Sequence, residues 1–165
     1  MVQYRLEPSF VADMMLGRLT RWMRVLGYDV WYKNPVDDET LLALVREWHR
    51  VLITRDTRLV RRRGVGEHML IRANDPMDQM MEVIRVYPPD PEHVLSRCVR
   101  CNIRLVSAEK KDLKDHVPEY IYLTESMFGR CLKCGRVYWR GTHYRHMVST
   151  LTERMKAEKM QERLL

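Results

Sequence analysis

The chain has 165 residues, of which 45% are hydrophobic and 31% charged, and its formal net charge is +7. That apolar share excludes wholesale disorder, and the lack of any apolar run of about 18 residues excludes a helical membrane span. Met1-Val2-Gln3-Tyr4-Arg5 has no apolar stretch of the secretory kind, so the expectation is a soluble cytoplasmic protein with no membrane partner.

The first half alternates short apolar runs with helical patterns. Phe10-Val11-Ala12-Asp13 reads as a strand ending in an acid. Met15, Leu19, Trp22, Met23 and Leu26 then fall at helical spacing within Met14–Leu26, and Gly27 stops them. Tyr28–Tyr32 reads as a second strand. Asp37-Asp38-Glu39 opens a helix to about Trp48, with acids suited to its N-terminal dipole. Arg50–Thr54 is a third strand, Thr57–Arg63 a short basic helix, His68–Ala73 a fourth strand. Asn74-Asp75-Pro76 starts a helix through about Val86. Strands and helices alternating in this way predict an α/β fold, a parallel sheet with flanking helices. Pro88-Pro89-Asp90-Pro91 cannot continue a helix or a central strand, so the predicted domains are residues 1–90 and 91–165. A helical pattern closes the chain over Thr142–Leu165, with Met147, Leu151 and Met155 four apart.

Charge follows the same division. Residues 1–92 hold 14 Lys+Arg against 14 Asp+Glu, and residues 93–165 hold 15 against 8. A neutral half beside a basic half points to a polyanionic partner, most simply nucleic acid. A solvated basic surface is the plainer alternative.

All four cysteines lie in the second half, as Cys98-x-x-Cys101 and Cys131-x-x-Cys134, separated by 29 residues. Each pair can present two sulfurs to one tetrahedral ion, and two pairs complete a closed four-cysteine site. Asn102 and Gly135 supply turn chemistry, and strand-like Ile103–Val106 and Arg136–Trp139 follow. The pattern predicts a zinc ribbon with one structural Zn²⁺. Two disulfides are the alternative, disfavoured in a reducing compartment.

Acids recur where strands end: Asp13, Asp38, Asp56 and Asp75. In an open α/β sheet, functional groups gather outside the carboxyl ends of the strands. Carboxylates converging there would need a divalent cation, and oxygen ligation suits Mg²⁺ or Mn²⁺. Each also has a simpler reading as a helix cap, strongest for Asp75 ahead of Pro76 and weakest for Asp13. Arg18, Arg21 and Arg24 fall three apart on one helix and can form a phosphate-binding row. The alternatives are a solvated face or pairing with Asp29 and Glu47. Arg61-Arg62-Arg63 reads as solvated surface. His143 and His146 can contact phosphate or cap a helix. Tyr138 and Trp139 fit the ribbon's own core.

The run Phe10-Val11-Ala12-Asp13-Met14-Met15-Leu16-Gly17-Arg18-Leu19-Thr20-Arg21-Trp22-Met23-Arg24-Val25-Leu26-Gly27-Tyr28-Asp29 resembles a family signature. So do Leu52-Ile53-Thr54-Arg55-Asp56, Arg97-Cys98-x-x-Cys101-Asn102 and Cys131-x-x-Cys134-Gly135-Arg136-Val137-Tyr138-Trp139-x-Gly141-x-His143. Together, over about residues 5 to 150, they resemble the PIN-type ribonuclease domain with a C-terminal zinc ribbon, found also at the C-terminal end of the Mut-seven exonuclease proteins. The resemblance implies a PIN-like fold and metal-dependent hydrolysis of RNA. It aligns Asp13, Asp38 and Asp56 with the family's acidic positions, with Asp37 as the adjacent rival to Asp38. Asp75 is the choice for a fourth acid, Asp78 the rival. It favours Arg18, Arg21 and Arg24 as RNA contacts, and His143 is a further candidate contact from its place after the ribbon.

The expected function is therefore a ribonuclease whose Asp13, Asp38, Asp56 and Asp75 hold catalytic Mg²⁺ or Mn²⁺ and whose ribbon holds a structural Zn²⁺. RNA is the expected partner, the ribosome one setting for it. A non-catalytic RNA- or ribosome-binding protein is the second reading, and a protein-binding ribbon module the third.

Overall fold

The computed structural model describes residues 8–162, and side-chain surroundings through residue 158. The chain divides into two compact units at Val94–Leu95. Among the described residues no helix is long and apolar enough to cross a membrane.

The first unit is built on strands β1 (Ser9–Ala12), β2 (Asp29–Tyr32), β3 (Val51–Thr54) and β4 (His68–Leu70). They form one parallel sheet in the order β2-β1-β3-β4. Helices α1 (Gly17–Val25), α2 (Asp38–Trp48) and α3 (Pro76–Val86) connect and flank it. Parallel strands covered on both faces must be apolar on both, and Phe10, Val11, Ala12, Val51, Leu52 and Ile53 are all buried. Val11 and Leu52 pack with Leu41, Leu42 and Val45 of α2. Side chains alternate across a strand, so Phe10 faces the opposite side. There it meets Tyr28 and Tyr87 edge-on, at centroid distances of 5.6 and 5.1 Å.

Three predicted elements are shortened, each for a local reason. The helix expected from Met14 opens as a single 3-10 turn over Met14–Leu16, and α1 proper begins at Gly17. Asp13 precedes that turn without capping it, because Thr54 engages its carboxylate. The fourth strand ends at Leu70, since the N–H groups of Arg72 and Ala73 turn away to the Glu82 carboxylate at 3.0 and 2.7 Å. The short basic helix is one 3-10 turn, Leu59–Arg61, with only Leu59 buried to hold it.

The second unit comprises β5 (Val106–Ala108), α4 (Glu119–Thr124), β6 (Phe128–Arg130), β7 (Val137–Tyr138) and α5 (Thr142–Glu162). The strands form an antiparallel sheet in the order β5-β6-β7. Leu113, Val117 and Phe128 make its core, with Ile121, Tyr122, Val137 and Trp139 packed around them. Trp139 thus belongs to the core, as its setting beside a small sheet predicts. The strand expected at Ile103–Val106 begins only at Val106. Ile103 and Leu105 instead bond back across the first cysteine turn, Cys98 N–H to Ile103 O at 2.9 Å and Leu105 N–H to Ser96 O at 2.8 Å. The last helix matches its predicted span through Glu162; Arg163–Leu165 lie outside the described residues.

The units divide a little beyond the Pro88–Pro91 stretch because the turn Pro91–His93 packs back on the first unit. A Cβ placed on Gly27 would lie 2.2 Å from the His93 carbonyl oxygen, and Gly27 has φ +93°. Both the backbone conformation and the approach require glycine there. Gly64 has φ +76° with nothing near its would-be Cβ. Gly27→Ala is therefore expected to cost about 2–3 kcal/mol and Gly64→Ala only about 1 kcal/mol, as measured by urea unfolding.

Candidate active site and metal centre

In the order β2-β1-β3-β4 the connection reverses direction between β1 and β3. The carboxyl ends flanking such a switch point are where open α/β sheets place their sites. Asp13 and Asp56 come directly after those ends, Asp13 one residue beyond Ala12 and Asp56 two beyond Thr54. Thr54, fully buried at the end of β3, joins them. Its hydroxyl donates to Asp13 Oδ2 at 2.7 Å and accepts from the Asp56 N–H at 2.9 Å. Asp13 is itself only 7% exposed, and its N–H donates to Ile53 O at 3.0 Å. Asp56 turns its carboxylate onto the N–H groups of Arg58 and Leu59, at 2.7 and 3.3 Å. The Arg58 N–H holds the Asp56 carboxyl below its ordinary range against the opposing effect of desolvation, aided by the Leu59 N–H and by the Arg58 charge.

The other two acids stand apart from this pair. Asp38 lies in the first turn of α2 and pairs with Arg62 at 3.3 Å; Arg62 also contacts Glu39. Arg62 is therefore an ion-pair partner and not merely a solvated charge. The cap of α2 is Asp37, which accepts from the Thr40 N–H and hydroxyl at 2.8 and 2.9 Å. Asp75 caps α3, accepting from Met77 and Asp78 N–H. Among the described residues, the four cysteines are the only group of three or more Cys, His, Asp or Glu close enough to hold one ion. The four carboxylates are thus not gathered into a single cage.

The arginine row divides. Arg24 is buried, and its Nε and Nη2 both donate to Val30 O, at 3.1 and 2.7 Å. It ties α1 to β2, and the structure withdraws it from the exposed row. Asp29 pairs with Arg50 at 2.8 Å. Arg18 and Arg21 line a cleft of about 500 Å³ together with Arg55, Tyr32 and Gln79. Arg55 carried no signal of its own in the sequence, because a residue beside a candidate acid draws attention only when the fold shows which way it faces. His143 and His146 are exposed in the first turns of α5.

The cysteines form two matching turns. Asn102 N–H donates to Cys98 O and Gly135 N–H to Cys131 O, each at 2.8 Å. Asn102 and Gly135 both have left-handed φ, 65° and 72°. Arg97 Nη1 donates to Asn102 O at 2.8 Å, fastening the first turn. All four sulfurs lie within 4.8 Å of one another, and Cys98 Sγ is 3.7 Å from Cys134 Sγ. Four sulfurs around Zn²⁺ at about 2.3 Å would be roughly 3.8 Å apart, so the set fits a tetrahedral metal such as zinc and is too open for disulfides. Burial opposes ionisation of Cys98. The Tyr138 hydroxyl, 3.1 Å from its sulfur, and the N–H groups of Cys101 and Arg100 outweigh it, and the thiol is lowered to about 6. Burial and the neighbouring sulfurs push Cys101 up to about 12. One thiolate is favoured before metal arrives, and a cation would favour ionisation of Cys101 and Cys131, whose thiols burial holds protonated.

The family model of the Mut7-C RNAse domain matches residues 8–151, which spans both units. The chain belongs to the Mut7-C RNAse domain family. Comparisons with curated proteins and with solved structures returned no match. The Mut7-C match covers the Asp13–Thr54–Asp56 link, the arginine-lined cleft and all four cysteines. Membership carries a ribonuclease-type function with RNA as substrate. Thr54 was given no role by sequence reasoning; its signals were its place in the Leu52–Asp56 signature and its position two residues before an acid.

Thr54→Val should leave the buried Asp13 carboxylate and the Asp56 N–H each without a partner, costing about 1–3 kcal/mol by thermal or urea unfolding. Thr54→Ser, which keeps the hydroxyl, should restore most of that. Stripping metal with a chelator should unfold the segment from about residue 97 to 140, since so small a unit has little core besides its metal. Elemental analysis and amide exchange of the purified protein check this, with zinc at one per chain and protection lost across that segment on chelation.

Proposed function

We propose that this Mut7-C domain is a metal-dependent ribonuclease that hydrolyses RNA phosphodiester bonds at the β1–β3 switch point. The observation that carries the reading is the Asp13–Thr54–Asp56 link: two carboxylates at adjacent parallel strand ends, one of them buried and oriented by a hydroxyl. Mg²⁺ is commonly held by one or two carboxylates, with water and substrate phosphate filling the other positions. Asp13, whose Oδ1 lies outside the Thr54 bond, and Asp56 suit that role. When bound there, Mg²⁺ or Mn²⁺ would make a water more acidic and neutralise charge on the phosphate. Thr54 keeps the Asp13 carboxylate fixed, because its hydroxyl donates to Oδ2 and so sets the direction of the group. Asp38 and Asp75 are the further acids at the same sheet edge, and their recruitment would require release from Arg62 and from the α3 cap. Arg18 and Arg21 would hold phosphates beside the acids, and His143 with the basic ribbon unit would add backbone contacts. Four thiolates would hold a structural Zn²⁺.

A second reading is favoured by one observation: Asp38 and Asp75 are engaged elsewhere. It is a non-catalytic RNA- or ribosome-binding protein on the same fold. The deciding assay is cleavage of single-stranded RNA with Mn²⁺ or Mg²⁺. Wild type should cleave, and Asp13→Asn and Asp56→Asn should lose activity by about 100-fold or more while circular dichroism stays unchanged. Asn keeps a side-chain oxygen to accept from the Arg58 N–H, so a loss there reports chemistry and not folding. RNA binding without cleavage by the wild type would select the second reading.

A further inference from the structure

We propose that the cleft lined by Arg18, Arg21 and Arg55 is a subsite for one terminal nucleotide of an RNA strand, and that the arginines take its phosphate monoester. This rests on the ribonuclease reading and names what the enzyme grips next to its acids. The lining is chemically one-sided: three guanidiniums, and no carboxylate. Arg18 and Arg21 are exposed and have no hydrogen-bond or ion-pair partner among the described residues. Arg18 also sits in the first turn of α1, which contains no acid and has no side-chain cap. A cation there opposes the helix dipole, and an anion is the natural complement.

Arg55 is held differently. Its Nη2 donates to Asn74 Oδ1, and its Nε is buried without a hydrogen-bond partner. Asn74 in turn belongs to a segment steadied by the buried Gln79, whose Nε2 donates to Ala73 O at 3.1 Å. The guanidinium is therefore positioned before any ligand binds, which suits a planar fork meeting phosphate oxygens.

Beside Asn74 and Gln79, the wall has an apolar part. Met14 and Met15 are exposed at 45% and 60%, and Tyr32 is held by its hydroxyl on Met14 O at 3.0 Å. Gly17 permits this placement, since a Cβ there would lie 2.7 Å from the Tyr32 hydroxyl. An aromatic ring and two adaptable thioethers next to cations suit a base and ribose beside their phosphate. A cleft of about 500 Å³ is of a size to take one small molecule, not a length of strand. A phosphodiester carries a single charge, whereas a phosphate monoester carries about 1.5 to 2 at pH 7. Three guanidiniums match the second. Met14, Arg55 and the pair Asn74 and Pro76 are sequence neighbours of Asp13, Asp56 and Asp75, which places the subsite at the acid-bearing edge of the sheet.

The test is equilibrium binding by the zinc-loaded full chain, without added Mg²⁺ or Mn²⁺. Three versions of one short single-stranded oligoribonucleotide are compared: 5′-monophosphate, 3′-monophosphate and no terminal phosphate. A terminal phosphate at one of the ends should tighten binding by about tenfold or more, and the responding end identifies which terminus enters. Arg18→Gln/Arg21→Gln, altered only at exposed positions, should bind phosphorylated and unphosphorylated strands alike, and Arg55→Gln should do the same. Equal affinity of the wild type for all three strands would overturn the proposal and leave the ribonuclease reading standing. So would a phosphate preference that survives both variants. Failure of every strand to bind would sink the subsite and the ribonuclease reading together.

Discussion

The Thr54 hydroxyl is the contact on which the candidate chemistry depends. A carboxylate buried at the end of a parallel strand costs free energy unless a donor meets it. Thr54 meets Asp13 and, through its oxygen, also satisfies the Asp56 N–H. One β-branched side chain thereby serves as the last residue of β3 and joins two acids from different strands. The hydroxyl orders the strand end and the acid pair in a single step. The same engagement explains why α1 begins late, because a carboxylate held by Thr54 cannot cap the turn that follows Asp13.

Around that point, charge is placed with a clear logic within the first unit. Arginines that serve the fold are paired or buried: Arg24 on Val30 O, Arg50 on Asp29, Arg62 on Asp38 and Glu39. Arg18 and Arg21, which have no described partner, line the cleft. A unit with equal numbers of acids and bases can still present a cationic cleft, because what a phosphate meets is the local field and not the sum of charges.

The second unit rests on its cysteines. Its apolar core is small, and the two turns that carry the thiols repeat the same hydrogen bonds and the same left-handed residue after the second cysteine. The thiols lean unequally, Cys98 toward thiolate through the hydrogen bonds it accepts and Cys101 toward thiol through burial, with repulsion from the neighbouring sulfur added. A dication removes that repulsion, which is why binding of metal and folding are one process in such modules.

Local patterning by itself determined most of the architecture. The alternation of apolar runs with helical stripes named all four parallel strands and the three helices between and after them, and paired cysteines named the ribbon. These are short-range signals, set by side-chain period and by turn chemistry within a few residues. The strand β6 and helix α4 escaped it, since Phe128–Arg130 contains a glycine and is recognisable as a strand only once β5 and β7 lie on either side. Arg24 looked identical to Arg18 and Arg21 in spacing; only the packing of α1 on β2 decided that it turns inward. The acids show the same division. Their places at strand ends could be read along the chain, whereas the linking of Asp13 to Asp56 and the diversion of Asp38 to Arg62 are contacts between residues far apart in sequence. Strand order and register set such contacts, and both belong to the tertiary structure alone.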